Sequence, residues 1–171
     1  MKFTAVYYEP DSLQFPLGQY LHNQYADLPW HPIESHNRIP ALSQRANKDF
    51  PALKRLLILG TRKTHRYVPN HKISDYLVPF TSSGCTAMCL YCYLVCHYNK
   101  CSYLRLFVNR EQMLERLLAA SHRGDHPQVF EIGSNSDLIL ENTITHNLEW
   151  VIPAFAKNGR GSITFPTKFD K

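Results

Sequence analysis

Five cysteines, Cys85, Cys89, Cys92, Cys96 and Cys101, fall within one 17-residue stretch, and the sequence holds no other. Disulfides tie distant segments together in oxidising compartments. The opening residues, Met1-Lys-Phe-Thr-Ala-Val-Tyr-Tyr-Glu9, have no long apolar core before the first acid and make a poor secretory leader. Thiols packed this closely in such a chain therefore read as metal ligands or redox groups, and a cytoplasmic protein is expected. The core of the signal is Cys85-Thr-Ala-Met-Cys89-Leu-Tyr-Cys92, with spacing C-x3-C-x2-C. Three thiolates so spaced can hold three irons of a [4Fe–4S] cluster and leave the fourth open. The competing reading is structural zinc through Cys89 and Cys92 with Cys96 and Cys101 or His97. Zinc sites usually join two short knuckles far apart, whereas here every ligand sits on one loop. The bland reading is a set of buried free thiols, and short elements rarely bury five together.

The elements that must position this loop follow from periodicity. Residues 1–52 are punctuated by Pro10, Pro16, Pro29, Pro32, Pro40 and Pro51, which predicts short elements joined by turns. The apolar run Leu53–Gly60 predicts a buried strand. Tyr76–Phe80 predicts a second strand, feeding Thr81-Ser-Ser-Gly84-Cys85. Tyr103–Val108 reads as another strand, followed by a helix capped by Asn109 with Gln112 as its capping-box partner, striped by Met113, Leu114, Leu117 and Leu118, and stopped at Gly124. Val129–Ile132 is strand-like and leads into the polar loop Gly133-Ser-Asn-Ser-Asp137, where Asp137 reads as the cap of the next segment. An amphipathic stretch then carries Ile144, Leu148, Val151, Ile152 and Phe155 on one face, with Pro153 expected to kink it or end it early. Gly161–Phe165 is a last strand. From residue 76 onward, alternating strands and helices imply a parallel α/β sheet with functional loops at the strands' C-terminal ends.

Length and composition bound the class. A chain of 171 residues that is 44% hydrophobic and 12% aromatic, with only 7 Gly, suits one globular domain and excludes collagenous, low-complexity or disordered classes. No apolar run reaches the ~18 residues of a membrane span. The net charge of +5 is uneven: residues 38–72 carry nine basic residues and one acid, Asp49, a net of +8 that leaves the rest at −3. Such a block is an electrostatic footprint for a polyanion such as DNA, or simply a solvated face.

The triad, with an aromatic before its third cysteine, resembles the radical S-adenosylmethionine superfamily. The wider blocks resemble the spore photoproduct lyase family: Phe80-Thr-Ser-Ser-Gly-Cys-Thr-Ala-Met-Cys-Leu-Tyr-Cys-Tyr-Leu94, Tyr103-Leu-Arg-Leu-Phe-Val-Asn109, Gly60-Thr-Arg-Lys-Thr64, Phe130-Glu-Ile-Gly-Ser-Asn-Ser-Asp137, Thr145-His146 and Thr167-Lys-Phe169. The resemblance covers essentially the whole chain but only the N-terminal half of a family member. It implies a partial (β/α) barrel truncated after about the third strand (residues 76–171), behind an N-terminal extension (residues 1–75). It implies a light-independent DNA-repair lyase of the spore core. Such an enzyme reverts 5-thyminyl-5,6-dihydrothymine in DNA to two thymines through a 5′-deoxyadenosyl radical, drawing electrons from an external donor such as a flavodoxin or ferredoxin.

Carried over by motif, Cys85, Cys89 and Cys92 would ligate the [4Fe–4S] cluster, while Tyr91, Ser136 and Lys168 would contact S-adenosyl-L-methionine. Tyr91 and Lys168 also have bland readings, as a packing aromatic and a solvated terminal lysine. Ser134 departs from the family, whose members often carry there a cysteine that returns a hydrogen atom to the thymine radical. A serine O–H bond is too strong for that step, which points to Cys96 or Cys101, relayed by Tyr93, as hydrogen-return candidates. The family's principal lesion-binding elements are expected C-terminal to residue 171, so the chain alone is expected to hold a cluster poorly and repair little.

Overall fold

The computed structural model describes residues 2–96 and 103–169. In chain order the strands are β1 (Ala5–Tyr8), β2 (Trp30–Pro32), β3 (Leu56–Gly60), β4 (Val68–Pro69), β5 (Tyr76–Val78), β6 (Ser82–Ser83), β7 (Leu104–Phe107), β8 (Val129–Ile132) and β9 (Ser162–Thr164). The helices are α1 (Pro16–Gln24), α2 (Pro40–Ser43), α3 (Phe50–Leu53), α4 (Tyr93–Cys96), α5 (Arg110–Ser121), α6 (Leu138–Thr145) and α7 (Asn147–Asn158). They build a mixed α/β fold on two sheets, ordered β2-β1-β3-β7-β6 and β4-β5-β8-β9. Both are mostly parallel; β6 and β4 are the antiparallel members, and neither sheet closes on itself.

The first sheet is centred on β3 and β7, whose residues pair in register from Leu57↔Leu104 to Gly60↔Phe107. Leu57, Leu59, Leu104 and Leu106 share one face and pack with Leu17 and Leu21 of α1. Ile58 lies on the opposite face, against Ile39, Leu42, Leu53 and Tyr103. That same face carries Arg105 and Phe107 further along β7. The second core joins β5 and β8 to α5, α6 and α7 through Val78, Phe130, Ile132, Met113, Leu117, Leu138, Val151 and Phe155. Phe107 belongs to this core, so the end of β7 meets the second sheet.

Several sequence expectations change. The strand at Leu104–Phe107 does not lie beside β5; it joins β3 in the first sheet. Every residue of β7 is buried, and the apolar β3 offers a matching partner. The parallel neighbour of β5 is β8, and that of β8 is β9. The run Leu53–Gly60 divides, with Leu53 closing α3 and the strand beginning at Leu56. Pro153 does not end its helix, since α7 continues to Asn158; the stretch breaks earlier, at His146, whose φ of 53° separates α6 from α7. Ile152 is exposed, whereas Ile144, Leu148, Val151 and Phe155 are buried. Asn109 precedes α5 without capping it through its side chain. Instead its Oδ1 accepts from the Arg62 N–H (2.8 Å), and its Nδ2 donates to Arg62 O (3.0 Å) and to Gln112 Oε1 (2.9 Å).

Candidate functional site

The C-terminal ends of β5, β8 and β9 lie on one edge of a parallel sheet. Each end is followed by a segment that the sequence singled out: the cysteine loop, Gly133–Asp137, and Pro166–Phe169. Ligands in open parallel sheets bind at this edge, where loops diverge and helix N-termini point inward. Hydrogen bonds draw the three segments together. Gly84 N–H donates to Asn135 O (2.8 Å), and Tyr93 Oη donates to Asn135 Oδ1 (2.9 Å). Asp137 caps α6 by accepting from Leu140 N–H (3.3 Å) and also accepts from Thr167 Oγ1 (3.0 Å) and Lys168 N–H (3.0 Å). One carboxylate therefore fixes both the start of α6 and the approach of Lys168.

Cys85, Cys89 and Cys92 are free thiols, each half-buried. The loop enters through Gly84, whose φ of 77° is a conformation that favours glycine. Two ammonium groups flank the thiols. Lys54, 0% exposed, donates to Cys85 O (2.8 Å) and lies 4.0 Å from Cys85 Sγ. Lys168 Nζ lies 4.0 Å from Cys89 Sγ and 5.3 Å from the Tyr91 ring centroid. Burial pushes the Cys85 thiol above its ordinary pKa; the Lys54 charge and the Ala87 N–H oppose that rise, and Cys92 and Cys89 reinforce it. Among the described residues, no group of three or more His, Cys, Asp or Glu converges as for a single metal ion.

The remaining candidates fall in two places. Ser136 Oγ is 2.5 Å from Ser82 Oγ, which hydrogen-bonds Glu141; Glu141 also accepts from Thr81 Oγ1 (2.7 Å) and Asn147 Nδ2 (2.5 Å). Burial raises the Glu141 pKa, and these donors oppose the rise. Tyr91 stands out from the loop at 83% exposed and is no part of a packed core. Cys101 and His97 lie outside the described residues, as does the side chain of Cys96, whose backbone ends α4.

Beside the loop a polar cavity of about 660 Å³ is lined by His36, Arg62, Ser83, Arg105, Ser134 and Asn135, among others. Glu9 on its wall accepts from His36 N–H (2.9 Å) and Thr61 N–H (3.0 Å), with His36 Nδ1 at 2.8 Å. Burial alone would raise the Glu9 pKa, but these partners bring it down to about 2. Gly60 makes room for this pair, since a Cβ there would come within 2.5 Å of His36 Nδ1.

Comparison with known proteins now places the chain. The family model described as spore photoproduct lyase matches residues 2–171. The chain belongs to the spore photoproduct lyase family. It is 30% identical over 168 residues to a spore photoproduct lyase of Bacillus subtilis, covering 96% of this chain and 49% of that protein. A spore photoproduct lyase of Clostridium acetobutylicum is 27% identical over 170 residues, covering 98% of this chain and 50% of that protein. The chain thus spans about half the length of the curated relatives it matches. Among solved structures, a spore photoproduct lyase mutant with bound AdoMet and dinucleoside spore photoproduct superposes with a TM-score of 0.87 at 25% identity, over 98% of this chain and 50% of the other.

Sequence reasoning overlooked Lys54, Arg105, Glu141 and Thr167. Lys54 and Arg105 did leave a trace: each is a cation inside an otherwise apolar segment, Leu53-Lys-Arg-Leu and Tyr103-Leu-Arg-Leu-Phe. Thr167 was visible only as part of the Thr167-Lys-Phe169 block, and Glu141 left no trace, because its role comes from partners far away in the chain.

Proposed function

We propose that this chain forms part of a radical S-adenosylmethionine lyase that reverts the spore photoproduct in DNA to two thymines. The observation that carries the reading is the cysteine loop: three free, half-buried thiols at the carboxyl end of β5, with Lys54 and Lys168 beside two of them. The donor set fits a [4Fe–4S] cluster held by Cys85, Cys89 and Cys92. Soft thiolates on one short loop suit iron–sulfur ligation, each binding a separate iron, so they need not converge on one point. Nearby ammonium groups offset the negative charge of such a site. When bound, the cluster would supply the electron that cleaves S-adenosyl-L-methionine to methionine and a 5′-deoxyadenosyl radical, which takes a hydrogen atom from the lesion.

The chain's own residues then have distinct tasks. Lys168, fixed through its N–H by Asp137, is a charge-assisted donor for the cofactor carboxylate, and Ser136 and Tyr91 complete that side. Tyr93, hydrogen-bonded to Asn135 next to Ser134, is the candidate relay for hydrogen return from Cys96 or Cys101. The sheet β5-β8-β9 is read as the first strands of a partial barrel covering residues 76–171, behind the extension formed by residues 1–75. DNA is the macromolecular substrate, a flavodoxin or ferredoxin the electron donor, and the spore core the compartment.

Anaerobic reconstitution of the chain with iron and sulfide tests this. A brown, oxygen-sensitive product with about four irons per chain, lost on replacing Cys85, Cys89 and Cys92 by Ala, supports the reading. A colourless chain holding one zinc would replace it with a structural zinc site. Incubating the reconstituted chain with reductant, S-adenosyl-L-methionine and lesion-bearing DNA then measures how much turnover this half-length chain sustains.

A further inference from the structure

Arg105 projects from the centre of β7 onto the face that lines the polar cavity. It is 8% exposed. Its Nη2 donates to Ser83 Oγ (2.9 Å), and its Nε is buried without a hydrogen-bond partner among the described residues. No ion pair involving Arg105 occurs among those residues. A guanidinium does not lose its proton under any ordinary condition, so it cannot relieve burial by becoming neutral. A buried charge in that position calls for an anion, and the arginine fork matches an oxyanion with two adjacent oxygens.

The acids of the cavity do not serve. Glu9 is committed to His36 and Thr61, and Glu34 lies exposed. The remaining charges lining the cavity, Arg62 and Lys63, are positive. Arg62 stacks over Phe107, with its Cζ 3.8 Å from the ring centroid, and donates from Nε to Phe80 O (3.1 Å). Ser134 and Asn135 form another part of the lining. The volume of about 660 Å³ suits a ligand of dinucleotide size.

We propose that Arg105 binds a phosphodiester oxyanion in this cavity, namely the backbone phosphate joining the two nucleosides of the lesion. This rests on the proposed lesion substrate and adds which group of it the buried guanidinium holds. The Arg105 guanidinium is the group that meets the phosphate, Ser83 holds the fork in place, and Arg62 adds charge from the Phe107 side.

The test compares two probes on the full chain: the dinucleotide spore photoproduct with its phosphodiester, and the dinucleoside spore photoproduct without it. Wild type is expected to bind the first about tenfold tighter or more. Arg105→Gln is expected to close that gap by weakening the dinucleotide alone. A gap that survives Arg105→Gln, or no gap in wild type, overturns the inference. If wild type binds neither probe, the lesion reading fails for this chain and inorganic phosphate decides. Phosphate binding that depends on Arg105 keeps the anion site with another source of phosphate, and its absence overturns the site. Should Arg105→Gln not fold, the Arg105 Nε–H resonance of wild type, assigned through Arg105→Lys, gives the answer. It is expected to shift on adding the dinucleotide or phosphate, and a resonance unmoved at saturation overturns the inference.

Discussion

The two ends of the cysteine loop are held in opposite ways. At its root, Gly84 is hydrogen-bonded to the β8 loop, Ser83 holds Arg105, and the buried Lys54 grips the Cys85 carbonyl. At its tip, Leu90 is 94% exposed, Tyr91 and Met88 are also exposed, and Lys168 from beyond β9 reaches the Cys89 sulfur across solvent-accessible space. Both lysines stand 4.0 Å from a thiol sulfur, yet only Lys54 is enclosed by the fold. A charge excluded from water acts through a lower effective dielectric, whereas an exposed one is screened within a few ångströms by solvent and salt. Two equal distances therefore do not mean equal interactions: the root is part of the folded core, and the tip is free to meet a ligand.

This contrast can be broken at either end. Lys54→Ala removes a fully buried side chain and leaves the Cys85 carbonyl without its donor; a loss of about 3 kcal/mol or more is expected in urea unfolding. If Leu90→Ser cost as much, root and tip would not differ. Behind the root, Glu9 sharpens the contrast through pH. Its folded pKa of about 2 lies below the ordinary 4.5, so its contribution is fully present above pH 4.5 and lost as pH falls towards 2. Acid titration followed by circular dichroism is expected to lose about 2–3 kcal/mol over that window, and Glu9→Gln to flatten it. Gly84→Ala forces a side chain into a left-handed backbone conformation and is expected to cost about 1–2 kcal/mol in the same unfolding assay. Smallest is the tip: Tyr91→Ala is expected to change stability by less than about 0.5 kcal/mol. Under the proposed function it weakens S-adenosyl-L-methionine binding to the reconstituted chain, measured by calorimetric titration.

Local signals in the sequence were reliable where a residue answers to its own neighbours. The Asp137 cap and the strand Val129–Ile132 depend on short-range chemistry, and the structure keeps both of them. The exit of β7 to the first sheet was not legible. Nothing in Leu104–Phe107 distinguishes β3 from β5 as its partner until the chain is folded. Likewise Pro153 carries a local cost of its own, whereas the position of the break is decided by the left-handed turn at His146 and by packing of Leu148 and Val151.

The sequence by itself determined the order and spacing of Cys85, Cys89 and Cys92, because spacing along a chain is covalent. It also determined the alternating apolar residues that make buried strands. Only the tertiary structure decided that Lys54 and Lys168, 114 positions apart, would flank that loop, and that Asp137 would set Lys168 in place. It alone left Arg105 buried beside a cavity, with no ion pair to it among the described residues. The physical reason is range. Propensity and spacing act over a few residues, while desolvation and charge depend on which distant segments the fold brings together.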